Sequence, residues 1–176
     1  MPTLDIWKNA ASWRLRGLIQ SSIANLLLAR VYEHPIYLCS PWMSDFLVFD
    51  NSNGQFSSLV PDATDRIRIN LSDCLSQLSI ENDVRIVTKN APCSTAFCDM
   101  PILSKSSIQV RISNDRFHEK GILTPIFYIE GSMNITYSGM EINAEKVIFH
   151  SGDEPHVRAR IHTAYLEYER RWKLLA

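Results

Sequence analysis

The chain has 176 residues, a length that suits one ordinary domain and is short for two. Apolar residues make up 45% and charged residues 21%, which is typical of a globular protein and not of a disordered or coiled-coil chain. The formal net charge of −1 excludes the globally basic composition of proteins that coat nucleic acid, but it allows a local basic site. Without a signal peptide or membrane span in the sequence, we expect a single cytoplasmic domain over residues 1–176.

The four cysteines, Cys39, Cys74, Cys93 and Cys98, include no C-x2-C pair and have no histidine at the spacing of zinc ligands. In a cytoplasmic chain we interpret them as reduced thiols, some of them buried. We therefore expect neither a metal nor another cofactor.

In the first half of the chain, turn-rich segments separate two helices and two strands. The predicted elements are a helix over 12–32, a strand over 35–41, a helix over 72–81 and a strand over 83–88. Ser12 is the expected N-cap of the first helix, and Ser72 or Asp73 that of the second. Segments 50–63 and 90–101 are predicted to be irregular.

The second half of the chain alternates short strands with turns and ends in a helix. The predicted elements are a short helix closing over 104–107, strands over 108–113, 121–124, 126–129 and 146–150, and an amphipathic helix from about Asp153 to Lys173. This order favours an α/β fold in which helices flank both faces of a mixed β-sheet.

Candidate catalytic side chains are concentrated between His118 and Glu145. His118 and Lys120 lie two residues apart, so both side chains leave the same face of an extended chain. Together they suit an anion, because the lysine supplies a fixed positive charge and the histidine a nucleophile or proton carrier. Ser132 and Asn134 follow a predicted strand, and a tight turn there would aim their donors at the same phosphate oxygens.

The pattern His118-x-Lys120, Gly131-Ser132-x-Asn134 and a glutamate, Glu145, eleven residues later resembles the phospholipase D superfamily. More weakly, 36–45 looks like the family's first strand and loop, and 84–88 like its second strand. The resemblance implies a phospholipase D-like fold and metal-independent cleavage of phosphodiesters. In that family one histidine attacks phosphorus and forms a phosphohistidine, while a second protonates the leaving oxygen.

The same resemblance gives each matching residue a role. His118 is the nucleophile, and Lys120, Ser132 and Asn134 hold the phosphate oxygens as charge develops. Glu145 orients the histidine through its other ring nitrogen, and Glu141 is a rival for that role.

This chain carries one copy of the motif, whereas the family mechanism needs two histidines. His150, His156 and His162 have no lysine two residues later. We therefore expect a twofold homodimer in which both His118 side chains face one phosphate across the axis.

One departure from the family pattern concerns the turn after the lysine. The family has an aspartate five residues after the lysine, where this chain has Pro125, and the segment up to Gly131 is one residue shorter. In the family that aspartate supports the turn, and Pro125 is suited to stiffen a shortened turn instead. Because this aspartate is missing, a degenerate and inactive member of the family is an alternative interpretation.

Three functional hypotheses follow. Single-motif members that dimerise resemble bacterial endonucleases, so the leading hypothesis is a nuclease acting on DNA more readily than RNA. Similar short chains occur in bacterial phage-defence and DNA-modification systems, whose proteins are candidate partners. The alternative is a non-catalytic subunit that binds nucleic acid or such partners. Phospholipid hydrolysis is less favoured, because the sequence offers no basic amphipathic helix or apolar loop for acyl chains.

Two further groups of side chains have competing interpretations. Trp42, Met43 and Phe46 either line the rim of a substrate site or belong to the core, the commoner role of an aromatic run. Arginines that are candidates for positive potential near a phosphate groove are Arg66, Arg68 and Arg111.

Overall fold

The computed structural model describes residues 3–8, 13–29, 31–113 and 117–175. Its strands are β1 (Thr3–Lys8), β2 (Ile36–Cys39), β3 (Leu47–Asp50), β4 (Arg68–Asn70), β5 (Val84–Lys89), β6 (Gln109–Ser113), β7 (Gly121–Leu123), β8 (Phe127–Gly131) and β9 (Glu145–Ser151). Its α-helices are α1 (Trp13–Ala29), α2 (Leu71–Leu78), α3 (Pro92–Cys98), α4 (Pro101–Ser104) and α5 (Pro155–Leu174). Within these ranges, no helix is both long and apolar enough to cross a membrane.

Seven strands form one mixed sheet in the order β1-β9-β8-β7-β2-β5-β6, and β3 pairs with β4 separately. Strands β2, β5 and β6 are parallel, whereas β7, β8, β9 and β1 are joined by antiparallel pairing. As a result, β2, β5, β6 and β8 finish at the same end of the sheet at which β7 and β9 begin. We call this the upper end.

Helices cover both faces of the sheet, because alternate residues of its strands project to opposite sides. Ile36 and Leu38 of β2 belong to a large apolar cluster that includes α1 and α2. Tyr37 and Cys39 of the same strand pack in a second cluster with α5. The predicted α/β fold with helices on both faces is confirmed.

The predicted bounds of the helices needed correction at several places. Helix α2 ends at Leu78 instead of residue 81, and of the segment 104–107, predicted to close a short helix, only Ser104 is helical, as the last residue of α4. The first helix ends at Ala29, and Val31, expected on its apolar side, is exposed. The predicted cap Ser12 lies outside the described residues. The N-cap of α2 is Asn70 instead of Ser72 or Asp73, and Asp73 accepts a hydrogen bond from the Asn70 backbone amide at 2.8 Å.

Segment 90–101, predicted to be irregular, contains the whole of the short helix α3 and the first residue of α4. Each helix begins with a proline, Pro92 or Pro101, at its first position, where a missing amide hydrogen costs nothing. Strands β1, β3 and β4 were also missing from the prediction. The predicted strands over 35–41, 83–88, 108–113, 121–124, 126–129 and 146–150 and the final helix are confirmed within a few residues.

Two of the four cysteines, Cys39 and Cys74, are buried, which confirms that some of the thiols lie in the interior. Burial raises the pKa of both thiols well above its usual value. Among the described residues, no group of three or more histidine, cysteine, aspartate or glutamate side chains is placed to hold a metal ion.

The turn between β7 and β8 is held by a buried hydroxyl at the residue before Pro125. Thr124 Oγ1 accepts hydrogen bonds from the backbone amides of Phe127 at 2.9 Å and Ile126 at 3.3 Å. It lies 2.8 Å from the Phe127 carbonyl oxygen, to which it donates. Thr124 thus supports this turn in the way that the resemblance assigns to the absent aspartate.

We expect Thr124→Val to lower the free energy of unfolding by about 1–3 kcal/mol, because the buried amide of Phe127 loses its hydroxyl partner. Chemical denaturation measures the loss. Thr124→Ser keeps the hydroxyl and should recover most of the stability. Equal stability of the valine variant and the wild type would show that the hydroxyl does not support the turn.

Candidate active site

The residues predicted for the site lie at the upper end of the sheet. His118 and Lys120 lie just before β7, and Ser132 and Asn134 lie just after β8. Glu145 is the first residue of β9. Because β7, β8 and β9 are neighbours in the sheet, its upper end gathers segments that are well separated along the chain.

Ser132 is fixed against the start of β9. Its backbone amide donates to the Lys146 carbonyl at 2.9 Å, and the Lys146 amide donates to Ser132 Oγ at 3.0 Å. The Ser132 hydroxyl donates to Glu145 Oε2. Gly131, at φ +151°, allows this close approach, since a Cβ there would lie 2.1 Å from the Lys146 carbonyl oxygen.

Glu145 is buried, and its two carboxylate oxygens have different partners. Oε2 accepts the hydrogen bond from Ser132, and Oε1 lies 3.4 Å from Asn143 Nδ2. Its rival Glu141 forms an ion pair with Arg16 at 3.5 Å instead. The structure therefore joins Glu145 to Ser132, but it forms no hydrogen bond between Glu145 and His118, and the orienting role remains a prediction.

Ser40, a buried residue directly after β2 that sequence reasoning missed, holds the backbone next to Asn134. Ser40 Oγ accepts a hydrogen bond from the Ile135 amide at 3.0 Å and lies 3.5 Å from Asn134 Oδ1. The same hydroxyl donates to the Trp42 carbonyl at 2.7 Å. Ser40 therefore joins the loop after β8 to the loop after β2.

His118 and Lys120 open into a surface cleft of about 440 Å³ that Gly131 also lines. His118 is exposed and Lys120 is half-buried. Neither side chain has a hydrogen bond or an ion pair with any residue in the described ranges. The histidine and the lysine are thus accessible from the cleft, whereas Ser132, Asn134 and Glu145 are not among the residues that line it.

A second polar cluster was missed by sequence reasoning, and its residues Tyr128, Glu130 and Arg160 line the same cleft. Glu130 Oε1 lies 2.8 Å from His150 Nε2 and accepts a hydrogen bond from Arg160 Nε at 3.0 Å. His150 also stacks on Tyr128, with ring centroids 5.8 Å apart. Residues on β8, β9 and α5 have no characteristic spacing in the sequence, so the cluster could not be predicted from a motif. The one available signal was that Glu130 directly precedes Gly131.

The Glu130 cluster fastens α5 to the strand that leads into the Gly131–Ser132 turn. Burial alone would raise the pKa of Glu130, but hydrogen bonds from Arg160 and His150 outweigh burial and hold that pKa below its ordinary value. A lowered pKa means that the ionised carboxylate stabilises the fold. This contribution is complete above the pKa of the unfolded chain, about 4.3, and disappears as the pH falls through the lower pKa of the folded state.

We expect Glu130→Gln to lower the free energy of unfolding by about 1–3 kcal/mol at pH 7, because Arg160 loses its charged acceptor. The variant should also lose less stability than the wild type between pH 5 and pH 3. Denaturation curves over that range measure both effects. Glu167→Gln is the matched control, since Glu167 lies 3.9 Å from the same arginine but is largely exposed. Parallel pH profiles for Glu130→Gln and the wild type would contradict the expectation.

The remaining candidates divide between the core and unrelated contacts. Met43 and Phe46 are buried and belong to the core, whereas Trp42 is exposed after β2. Arg66 forms an ion pair with Asp73. The Arg111 guanidinium lies 4.0 Å from the centre of the Trp172 ring. These two arginines are therefore engaged outside the cleft.

Comparison with known proteins identifies the fold. No family model and no curated protein matches the sequence. Solved structures do match: Nuc from Salmonella typhimurium, a phospholipase D family member, is 18% identical with a TM-score of 0.62, over 97% of this chain and 93% of Nuc. NucT from Helicobacter pylori is 12% identical with a TM-score of 0.59, over 97% and 95% of the two chains.

A larger protein shares the same fold over part of its length. Phosphatidylserine synthase from Haemophilus influenzae is 14% identical with a TM-score of 0.50, over 96% of this chain but only 37% of the synthase. The chain therefore has the phospholipase D-like fold, and at these identities the comparisons show the fold alone.

Proposed function

We propose that the protein is a metal-independent phosphodiesterase that cleaves nucleic acid, DNA more readily than RNA, through a phosphohistidine on His118. The observation that carries the proposal is the cleft into which His118 and Lys120 open beside the Ser132 turn. Two further features support it: the phospholipase D-like fold, and the nearly full coverage of both Nuc and NucT.

In the proposed reaction, a ring nitrogen of His118 attacks phosphorus. A nitrogen–phosphorus bond forms while the bond from phosphorus to the leaving oxygen breaks, and that oxygen takes a proton from the second histidine. Water then attacks the phosphohistidine, gives its proton back to the second histidine and releases His118. Lys120, Ser132 and Asn134 hold the non-bridging oxygens as negative charge develops.

The second histidine is proposed to be His118 of another copy of the chain. His150 is engaged with Glu130 at 2.8 Å, and His156 and His162 are exposed on α5, away from the motif. A twofold homodimer completes the site because a twofold axis presents the same residue from both chains. Sedimentation analysis at micromolar concentration tests this, and a strictly monomeric, active protein would contradict it.

The character of the cleft disfavours a lipid substrate. Charged side chains line it beside His118 and Lys120, namely Glu119, Glu130, Arg160 and Glu167. Acyl chains would need an apolar entrance instead. The non-catalytic alternative also loses support, because Thr124 holds the turn that lacks the family's aspartate.

Within this proposal the chain serves a bacterial phage-defence or DNA-modification system, and the proteins of that system are its partners.

We expect the wild type to hydrolyse bis(p-nitrophenyl) phosphate and plasmid DNA at undiminished rates in the presence of EDTA. The physical reason is that Lys120 and the hydroxyl and amide donors supply the positive potential in the proposed site. Release of p-nitrophenolate and conversion of supercoiled DNA measure the two reactions. Strong inhibition by EDTA would indicate a metal-dependent nuclease and refute the proposed mechanism.

A further inference from the structure

The edge strand β1 carries an exposed indole that no packing in the described ranges accounts for. Trp7 is 72% exposed. It pairs in register with Lys146 of β9, and the Lys146 ammonium lies 5.0 Å from the centre of its ring. An exposed aromatic ring beside a lysine is a combination that binds nucleic acid, because every base can stack on the ring and the cation attracts the backbone.

Trp7 belongs to the same end of the sheet as the candidate site. Ser132 is hydrogen-bonded to Lys146 through both backbone and side chain, so Ser132, Lys146 and Trp7 occupy adjacent positions across the sheet. Neighbouring strands are about 4.8 Å apart, which places Trp7 about 10 Å from Ser132. A stacked nucleic-acid strand advances about 3.4 Å per nucleotide, so about three nucleotides span this distance.

Charge alone gives this protein little attraction for a nucleic acid. The chain has a net charge of −1, and the exposed carboxylate of Asp5 lies two residues from Trp7 on the same strand. Phosphate contacts dominate the affinity of strongly basic proteins, whereas stacking contributes to binding irrespective of net charge. A ring three nucleotides from the scissile phosphate would therefore supply part of the affinity that charge does not.

We propose that Trp7 is a base-stacking residue and that the substrate of the candidate site is single-stranded or locally unpaired nucleic acid. This inference rests on the proposed function, because it assumes that the bound phosphodiester belongs to a nucleic acid. Bases of an intact duplex are stacked on each other and paired, and only an unpaired base near the scissile phosphate has a free face for the Trp7 ring.

The test compares binding of two short labelled oligodeoxynucleotides that differ only in whether they carry bases. The wild type should bind the single strand at least about fivefold more tightly than an abasic strand of equal length. Trp7→Leu should bind both equally, whereas Trp7→Phe should keep most of the difference. Leu4→Ala is the matched control, an exposed apolar residue that projects from the opposite face of β1, and should behave as the wild type.

Hydrolysis of bis(p-nitrophenyl) phosphate, which has no nucleobase, separates this inference from the proposed function. Trp7→Leu should retain wild-type turnover of this substrate and show a KM for single-stranded DNA at least about fivefold higher. A wild type that turns over neither substrate refutes the proposed function, whereas equal binding of both strands by the wild type overturns the inference alone. Unchanged binding in Trp7→Leu also overturns it. If Trp7→Leu dissociates a dimer that the wild type forms, the base-stacking inference is also overturned, because Trp7 would then belong to an interface between copies of this chain.

Discussion

His118→Ala is expected to abolish hydrolysis of bis(p-nitrophenyl) phosphate, with a loss of about 10⁴-fold or more in kcat. In the proposed dimer one substitution removes both the nucleophile and the general acid, since the two roles belong to the two copies of His118. The fold should be unaffected, because the side chain is exposed and has no partner within the described ranges. Release of p-nitrophenolate measures the loss, and a denaturation curve checks the fold.

The matched control is His156→Ala, which removes an exposed histidine at the start of α5. It should leave turnover unchanged. Substantial turnover by a folded His118→Ala variant would exclude His118 as the nucleophile and with it the phosphohistidine.

Mixing the wild type with His118→Ala tests whether two chains share one site. If equal amounts are unfolded and refolded together, about a quarter of the dimers contain two wild-type chains, so the activity per wild-type chain should fall to about half. If each chain carried a complete site, that activity would not change. This readout distinguishes a shared site from a dimer of independent sites.

How far the sequence predicted the fold depended on how strongly each segment is patterned. The buried strand β2 was predicted because it is a continuous apolar run that ends at Ser-Pro, and the long helix α5 because apolar residues recur there with the period of a helix. The edge strand β1 was missed. Ile6 is its one buried apolar residue, whereas Leu4 and Trp7 are exposed. The strand therefore lacks a clear alternation of buried and exposed residues, and it forms because it pairs with β9.

For the site, the sequence indicated which side chains matter but not how they are supported. Ser132 and Glu145 are thirteen positions apart, and the structure shows a contact between them that the sequence did not predict. Ser40 and Arg160 could not be found in the same way, because each meets the site only through the three-dimensional packing of β2 and α5 against the rest of the sheet. The spacing of a motif predicts contacts between residues of neighbouring strands, whereas Ser40 and Arg160 come from distant parts of the chain.

The Glu145–Ser132 contact also sharpens the expected role of the glutamate. Glu145 accepts the single hydroxyl proton of Ser132, so the hydroxyl is held in place here and can donate to a phosphate oxygen only after it turns away from the carboxylate. Glu145 is therefore a positioning residue toward Ser132 in this structure, and its predicted effect on His118 would have to arise when substrate is bound or when a second chain completes the site.

Lys120→Met is expected to lower kcat by about 100-fold or more while changing KM less. The methionine keeps most of the volume of the side chain but removes the positive charge. Negative charge on the non-bridging oxygens is greater in the transition state than in the substrate, so the lost attraction falls mainly on kcat. Steady-state hydrolysis of bis(p-nitrophenyl) phosphate separates the two parameters.

Lys120→Arg is the informative companion, because it keeps the charge and changes its geometry. It should lose less activity than the methionine variant, whereas Lys105→Met, which removes an exposed lysine directly after α4, should lose none. Equal, large losses in Lys120→Met and Lys120→Arg would mean that the shape of the ammonium group matters and not its charge alone. An unchanged kcat in Lys120→Met would instead show that Lys120 does not contact the phosphate in the transition state. The anion-binding role would then rest on Ser132 and Asn134, whose neutral hydrogen-bond donors stabilise developing negative charge without supplying a full positive charge.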